Sequence, residues 1–394
     1  MPSLRSPFAS FPFIALCLIA LFGFGNIAVF YGLHPYLASI GIPSYWAAWI
    51  LAAEPMAAFL LRPLISPWLR LSNALPVMRA SLLLIAVALS AYPFARTIPA
   101  LLLLRVFHGA AFVTLVSATT ALLVHFIPPD RSGQGFGIFS LTTMLPFALM
   151  PAFTEALLPH VADASHAYAW MALMVVPAFL LLFPLGPVVR TINAAAAPSP
   201  RPDLAGIRHA LRPRGVAPML GASLCIFTAS TLLFFFMKDF GASLGLANAG
   251  LFFTVSTGAT VLTRAVANPL FDRVDRGRLL VATLVLLAFC YAGYAVVRTP
   301  VVFLLAAALF GTCMGVALPL AQASLFLLAD PTRRGLTTNL ALSTMDAAYF
   351  VGPWLGGIML AAGMPRATLF ALSAALALAA ALLVARAGLR RTTS

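Results

Sequence analysis

Read from its first residue, the chain alternates long apolar stretches with short polar ones. Twelve stretches are long enough to cross a bilayer: 11–37, 44–66, 77–95, 98–126, 134–158, 167–189, 216–240, 246–270, 279–297, 300–328, 336–362 and 367–386. A helix needs about 20 apolar residues to cross a hydrocarbon core of ~30 Å. The runs are continuous and do not alternate with a period of two, which excludes a spanning β-barrel. The first stretch follows Arg5 and shows no small-residue cleavage site. It is too long for a cleaved signal core and leads into further spans, so it reads as a retained first helix. The expected fold class is an all-α membrane protein of twelve transmembrane helices.

Composition sharpens this picture. Of 394 residues, 62% are hydrophobic and 9% are charged, whereas a soluble domain is roughly 25% charged. The formal net charge is +14, carried almost wholly by Arg, with Lys238 the one lysine. Such a balance in a soluble chain points to nucleic acid. Here the basic residues fall between apolar runs and follow the positive-inside rule. With the N-terminus inside, 19 of the 24 basic residues lie on the cytoplasmic side, four on the opposite side (Arg96, Lys238, Arg298 and Arg366), and Arg105 inside a span. Both termini are therefore expected in the cytoplasm, in a multi-pass protein of the plasma membrane, the inner membrane of a bacterium. No nucleic-acid partner is implied; the bilayer is the partner.

The long connection at 190–215, RTINAAAAPSPRPDLAGIRHALRPRG, divides the spans six and six. The expected domains are an N-terminal six-helix bundle (1–190), a cytoplasmic basic linker (191–215) and a C-terminal six-helix bundle (216–394). Segment 203–211 within the linker reads as a surface helix on anionic headgroups or as plain linker. The halves resemble each other: LLRPLISPW at 60–68 matches LTRAVANPL at 262–270, and FYGLHPYLASIGI at 30–42 matches FFFMKDFGASLGL at 234–246. A repeat of this kind is a transporter signature. Cys17, Cys225, Cys290 and Cys313 all lie within spans without metal-ligand spacing, so they read as small apolar residues, with no disulfide framework and no metal.

A charge near the bilayer centre costs about 2.5–3.5 kcal/mol on insertion scales. Four ionisable residues sit well inside spans: Glu54, Arg105, His108 and Asp346. Glu54 lies ~15 Å and Arg105 ~10 Å from the outer ends of their helices, at 1.5 Å per residue. They suit either a switchable proton carrier with a movable Arg partner or a fixed ion pair. His108 shares a helix face with Arg105, as a proton carrier or as a neutral hydrogen-bonding group. Asp346 suits a proton or cation site, or a cap on a bend made by Gly352 and Pro353. Asn26, Tyr31, His34 and Tyr349 are the expected substrate-cavity residues, with Phe30, Phe234, Phe235 and Phe236 as stacking candidates. Glu155, His125, His160 and His166 lie near the water interfaces and are given no chemistry.

These residues resemble the major facilitator superfamily over essentially the whole chain, most closely the proton-driven drug- and sugar-efflux branch, the arabinose-efflux-like permeases. LLLLRVFHGAAF places Arg105, His108 and Gly109 where the family has an Arg followed by Gln or His and Gly. The resemblance implies proton coupling at Arg105. FIPPDRSGQGFGIF at 126–139 looks like the family's loop into the fifth span. NPLFDRVDRGR resembles its gating loop, with Asp272, Arg273, Gly277 and Arg278 in the matching places, Asn268 for the first Gly, and one residue extra. That resemblance implies a cytoplasmic gate, with Asp272 near a helix N-terminus. In the first half Arg70 stands where Asp272 would align. Gly352, Pro353, Gly356 and Gly357 form a GPxxGG pattern that antiporters of the family carry on the fifth span; here it lies on the eleventh. It implies a helix bend.

The expected function is a secondary active transporter that exports a small organic molecule in exchange for protons by alternating access. Glu54 and Asp346 are the expected proton carriers, and Arg105 the modulating charge. Proton-coupled uptake of a nutrient or metal chelate would use the same residues. A membrane-embedded enzyme or sensor is the reading from another class, but the chain has no H-E-x-x-H, no G-x-S-x-G and no soluble signalling domain. No cofactor is expected, and the partners are a small-molecule substrate and protons, with the chain working as a monomer.

Overall fold

The computed structural model describes residues 7–65, 68–69, 71–127, 132–195, 209, 211–267, 275–330 and 334–388. Among them there is no strand. Hydrocarbon cannot satisfy backbone N–H and C=O groups, so a spanning segment must pair them internally, as a helix does.

The first stretch folds as α1 (Phe11–Ala28), a 3-10 turn (Val29–Gly32) and α2 (Leu33–Ser39). Then come α3 (Ser44–Ile65), α4 (Leu71–Ala91), α5 (Ile98–Leu123) and α6 (Ser132–Leu157). α7 (Ala164–Trp170) runs through a 3-10 turn into α8 (Val175–Ala195). The second half opens with α9 (Val216–Phe234), α10 (Met237–Ser243) and α11 (Leu251–Ala267). It closes with α12 (Arg276–Tyr294), α13 (Pro300–Leu328), α14 (Arg334–Ala361) and α15 (Arg366–Arg386).

Helix occupies each of the twelve apolar stretches, but among the described residues ten segments are long and apolar enough to cross a membrane. α11 is apolar but has only 17 residues. α14 is long, yet Thr337, Thr338, Asn339, Ser343, Thr344 and Asp346 make its first half polar. The linker residues 196–208 and 210 lie outside the described residues, and so does most of the surface-helix candidate 203–211.

Local chemistry sets the helix ends. Asp163, Asp275 and Thr299 each accept backbone N–H groups at the starts of α7, α12 and α13, satisfying donors that a first helical turn leaves open. α2 and α10 stop in the same way. Gly41 (φ 77°) and Gly245 (φ 82°) take the left-handed conformation. The N–H of Ile42 bonds the Leu37 carbonyl and that of Leu246 bonds the Gly241 carbonyl. A residue with a Cβ resists that geometry. These glycines are equivalent positions of the repeat seen in the sequence.

The chain forms two compact units: residues 1–32 with 57–200, and 33–56 with 201–394. In this division residues 33–56 pack with the second half of the chain. In the first unit α1 packs on α5, α6 and α8, and α4 on α5 and α8. In the second, α9 packs on α13, α14 and α15, and α12 on α13 and α15. These five pairings recur at equivalent places in the two units, so that part of the repeat is structural as well as sequential; in the second unit α11 also packs on α13.

Glycines permit the closest approaches in the second unit. A Cβ on Gly311 would run into the Ser256 carbonyl oxygen, one on Gly352 would meet Thr231 Oγ1, and one on Gly357 would lie 2.7 Å from Ala48 Cα. Thr260 Oγ1 donates to the Gly311 carbonyl at 2.8 Å, and Thr231 Oγ1 to the Ala348 carbonyl at 2.9 Å. α14 stays helical through Pro353, and Gly352 and Gly357 allow it to lie close against Thr231 and Ala48. Gly311→Ala or Gly352→Ala should therefore destabilise the protein by about 1–3 kcal/mol. Gly258→Ala, whose Cβ meets nothing within 4 Å, should match or exceed the parent in thermal melts of the purified protein.

Candidate functional site

The polar core of the first unit is built on the 3-10 turn after α1. Arg105, 1% exposed, holds its guanidinium 4.8 Å from the Phe30 ring centroid, a cation–π contact that is strongest where water is excluded. Phe30 also packs on Tyr92, His108 and Tyr168, with centroids 4.8, 5.6 and 4.5 Å away. Tyr31, fully buried, donates its hydroxyl to Glu155 Oε1 at 2.6 Å.

His108 is fully buried and bonded on both ring nitrogens. The Asn26 amide nitrogen donates to the Gly23 carbonyl, so its Oδ1 faces His108 Nε2, 2.8 Å away. An amide oxygen can only accept. His108 therefore carries a proton on Nε2, and its Nδ1 lies 3.3 Å from the Tyr92 hydroxyl.

The second unit gathers the acids. Glu54 on α3 and Asp346 on α14 are each 6% exposed, and both act electrostatically on the Tyr349 hydroxyl. The same helices carry aromatic rings: Trp49 lies 5.6 Å from Trp354, Phe350 stacks on Trp354, and Phe227 of α9 lies 6.4 Å from Tyr349. His34 Nδ1 pairs with Asp239 Oδ2 at 2.7 Å, with its ring edge-on to Phe236.

The four intramembrane ionisable residues expected from the sequence are thus all buried, and they divide by unit. Arg105 and His108 belong to the first, Glu54 and Asp346 to the second. Of the expected cavity residues, Asn26 and Tyr31 are engaged in the first unit's polar core, His34 with Asp239, and Tyr349 with the two acids. Asp272 and Arg273 lie outside the described residues, while Gly277 and Arg278 start α12. The acid at that helix start is Asp275, which accepts the Arg278 N–H at 3.1 Å.

Sequence reasoning passed over Glu155, Tyr92, Tyr168 and Asp239. Glu155 had a signal, as the one acid of its apolar stretch. The tyrosines had none, because a Tyr in a span is ordinarily an interface or packing residue.

Beyond the helix ends, Asp163 pairs with Arg96 Nη1 at 2.7 Å and with His166 Nδ1 at 3.0 Å. Burial pushes the Asp163 carboxyl up, but hydrogen bonds from Ser165, His166 and Arg96 outweigh it and hold it well below the usual carboxylate range.

The family model for the Major Facilitator Superfamily matches residues 13–302 and 248–393. No curated protein matches the sequence. Among solved structures, the nucleoside transporter NupG aligns with a TM-score of 0.77 at 13% identity, over 95% of this chain and 98% of that one. A bacterial homolog of the human lysosomal transporter Spinster, inward-facing and occupied, aligns with a TM-score of 0.70 at 13% identity, over 97% of each chain. At that identity the likeness establishes the fold.

Two outcomes follow from the geometry. Asn26→Ala leaves the His108 Nε2–H without its acceptor and should cost about 1–3 kcal/mol of stability in denaturant or thermal unfolding. The stabilisation from Asp163 is complete above the ordinary carboxylate range and is lost as pH falls through its depressed folded value. Asp163→Asn should therefore melt at a lower temperature than the parent near neutral pH, with the gap closing in strong acid.

Proposed function

As a member of the Major Facilitator Superfamily, the chain is a membrane transporter and not an enzyme, and we propose that it exports a small organic molecule in exchange for protons. The observation that carries this reading is the burial of Glu54 and Asp346 around Tyr349. Two carboxyls enclosed in an apolar helical unit are expensive to keep charged, so they exchange protons when their surroundings change. Arg105 is the modulating charge, and His108, bonded to Asn26 and Tyr92, holds the polar core in register. Twelve spans with both termini in the cytoplasm, a bacterial inner-membrane location, a monomeric state and membership of the arabinose-efflux-like branch complete the proposal. One charge crossing 100 mV supplies ~2.3 kcal/mol, enough alone for roughly a 50-fold gradient.

Nucleosides are the first substrates to try, since NupG is a nucleoside transporter of the same fold, followed by aromatic amphiphiles suited to Trp49, Tyr349 and Trp354. A thermal-shift screen of the purified protein identifies the compound that stabilises it. Flux of that compound in proteoliposomes under an imposed pH gradient then tests coupling. Accumulation should follow the gradient, and Glu54→Gln or Asp346→Asn should lower gradient-driven flux at least about tenfold, the equivalent of 1.4 kcal/mol. Flux indifferent to the gradient refutes proton coupling, and substrate moving with the protons replaces export by uptake.

A further inference from the structure

Two arginines of the first unit converge where their helices leave the apolar runs. Arg79 lies on α4 and Arg190 on α8, helices that pack together. LSNALPVM leads into Arg79 and the apolar ASLLLIAVALSA follows it, while the apolar LLLFPLGPVV ends at Arg190. The Arg79 guanidinium lies 5.6 Å from the Phe183 ring centroid on α8, within cation–π reach. A Cβ on Gly186 would lie 3.8 Å from Arg190 Nη2 and 3.9 Å from Arg79 Nη2. The two nitrogens are therefore no further apart than the sum of those distances, with a glycine beneath them.

Like charges at such a separation repel. Long basic side chains at a membrane boundary ordinarily turn toward water, each on its own. Here Arg79 Nε is enclosed and has no hydrogen-bond partner. Among the described residues neither guanidinium forms an ion pair with a carboxylate. The pair thus presents donors from two sides to one acceptor group. A phosphate fits that geometry, with charge-assisted hydrogen bonds of ~2.8 Å to each arginine, and the planar guanidinium fork matches its oxygens.

The surface leading away from the arginines is apolar on both helices. Leu83 and Val87 follow Arg79 on one face of α4, four and eight positions on. On α8 the matching lane is Phe183, which Arg79 touches, and Leu180, one turn from it. All four side chains are exposed. An anion site continued by an exposed apolar lane has the outline of a phospholipid, headgroup and tail together.

We propose that Arg79 and Arg190 bind the phosphate of an anionic phospholipid, whose acyl chain lies along Leu83, Val87, Phe183 and Leu180. In the orientation proposed above, this end of the helices faces the cytoplasmic leaflet, which carries the negative surface potential. The site belongs to the first unit, whereas Glu54 and Asp346 belong to the second, and its occupancy does not depend on proton coupling.

Native mass spectrometry and thermal melts of the purified full chain test the site, with phosphatidylglycerol, phosphatidylcholine and inorganic phosphate as probes. Phosphatidylglycerol should be retained, and should raise the melting temperature more than phosphatidylcholine at equal concentration. Arg79→Gln combined with Arg190→Gln should lower the apparent affinity for phosphatidylglycerol at least about tenfold. Arg366→Gln, which removes a charge at the start of α15, should leave it unchanged. Gly186→Leu keeps both charges and fills the space between them, so it should weaken binding as the arginine pair does; if it fails to fold, the arginine variants decide the matter. Parent-like affinity in the double variant or in folded Gly186→Leu overturns the proposal, as does an equal loss in Arg366→Gln or equal binding of phosphatidylcholine. Inorganic phosphate that stabilises the parent as strongly as phosphatidylglycerol makes the occupant a free anion and overturns the lipid assignment.

Discussion

A charge placed in hydrocarbon must be neutralised, solvated by protein dipoles, or used. That constraint organises this molecule more than any single packing contact. The backbone meets it by folding almost entirely into helices, whose hydrogen bonds are internal. The side chains meet it by clustering. Arg105 rests on the Phe30 ring, His108 is bonded on both nitrogens, Tyr31 donates to Glu155, and Glu54 and Asp346 share the neighbourhood of Tyr349. Each costly group sits beside another that offsets part of its desolvation.

Five helix pairings recur in both units, and the glycine turns at Gly41 and Gly245 close equivalent helices with the same pair of backbone hydrogen bonds. The scaffold is duplicated while the chemistry is not. The first unit carries a cation, an imidazole and a ring of aromatic hydroxyls; the second carries two buried acids and an indole-rich wall. The buried Arg105 thus belongs to one unit and the buried Glu54 and Asp346 to the other.

How far the site could be read in advance depended on the kind of signal each residue emits. Glu54, Arg105, His108 and Asp346 stand out because a charged letter in a long apolar run is rare and expensive, and all four are buried. Their partners were not legible. The Tyr92 and Tyr168 that enclose Phe30 look like any tyrosines in a span. Asp239, which pairs with His34, is 205 positions away in the chain. Glu155 was assigned to the water interface by its closeness to a helix end, yet half of it turns inward to Tyr31. At the start of α12 the capping acid is Asp275, because a cap depends on the exact residue at which the chain turns helical.

The sequence by itself determined the all-helical membrane class, the twofold repeat, and which residues carry an energetic penalty demanding explanation. These follow from composition, periodicity and hydrocarbon solvation, all of which are local or additive along the chain. Only the tertiary structure decided the partnerships: residues 33–56 with the second half, Glu54 and Asp346 near Tyr349, His108 with Asn26 and Tyr92, and Glu155 beside Tyr31. Those are matters of direction and distance between side chains far apart in sequence, which long-range packing sets and no local pattern encodes.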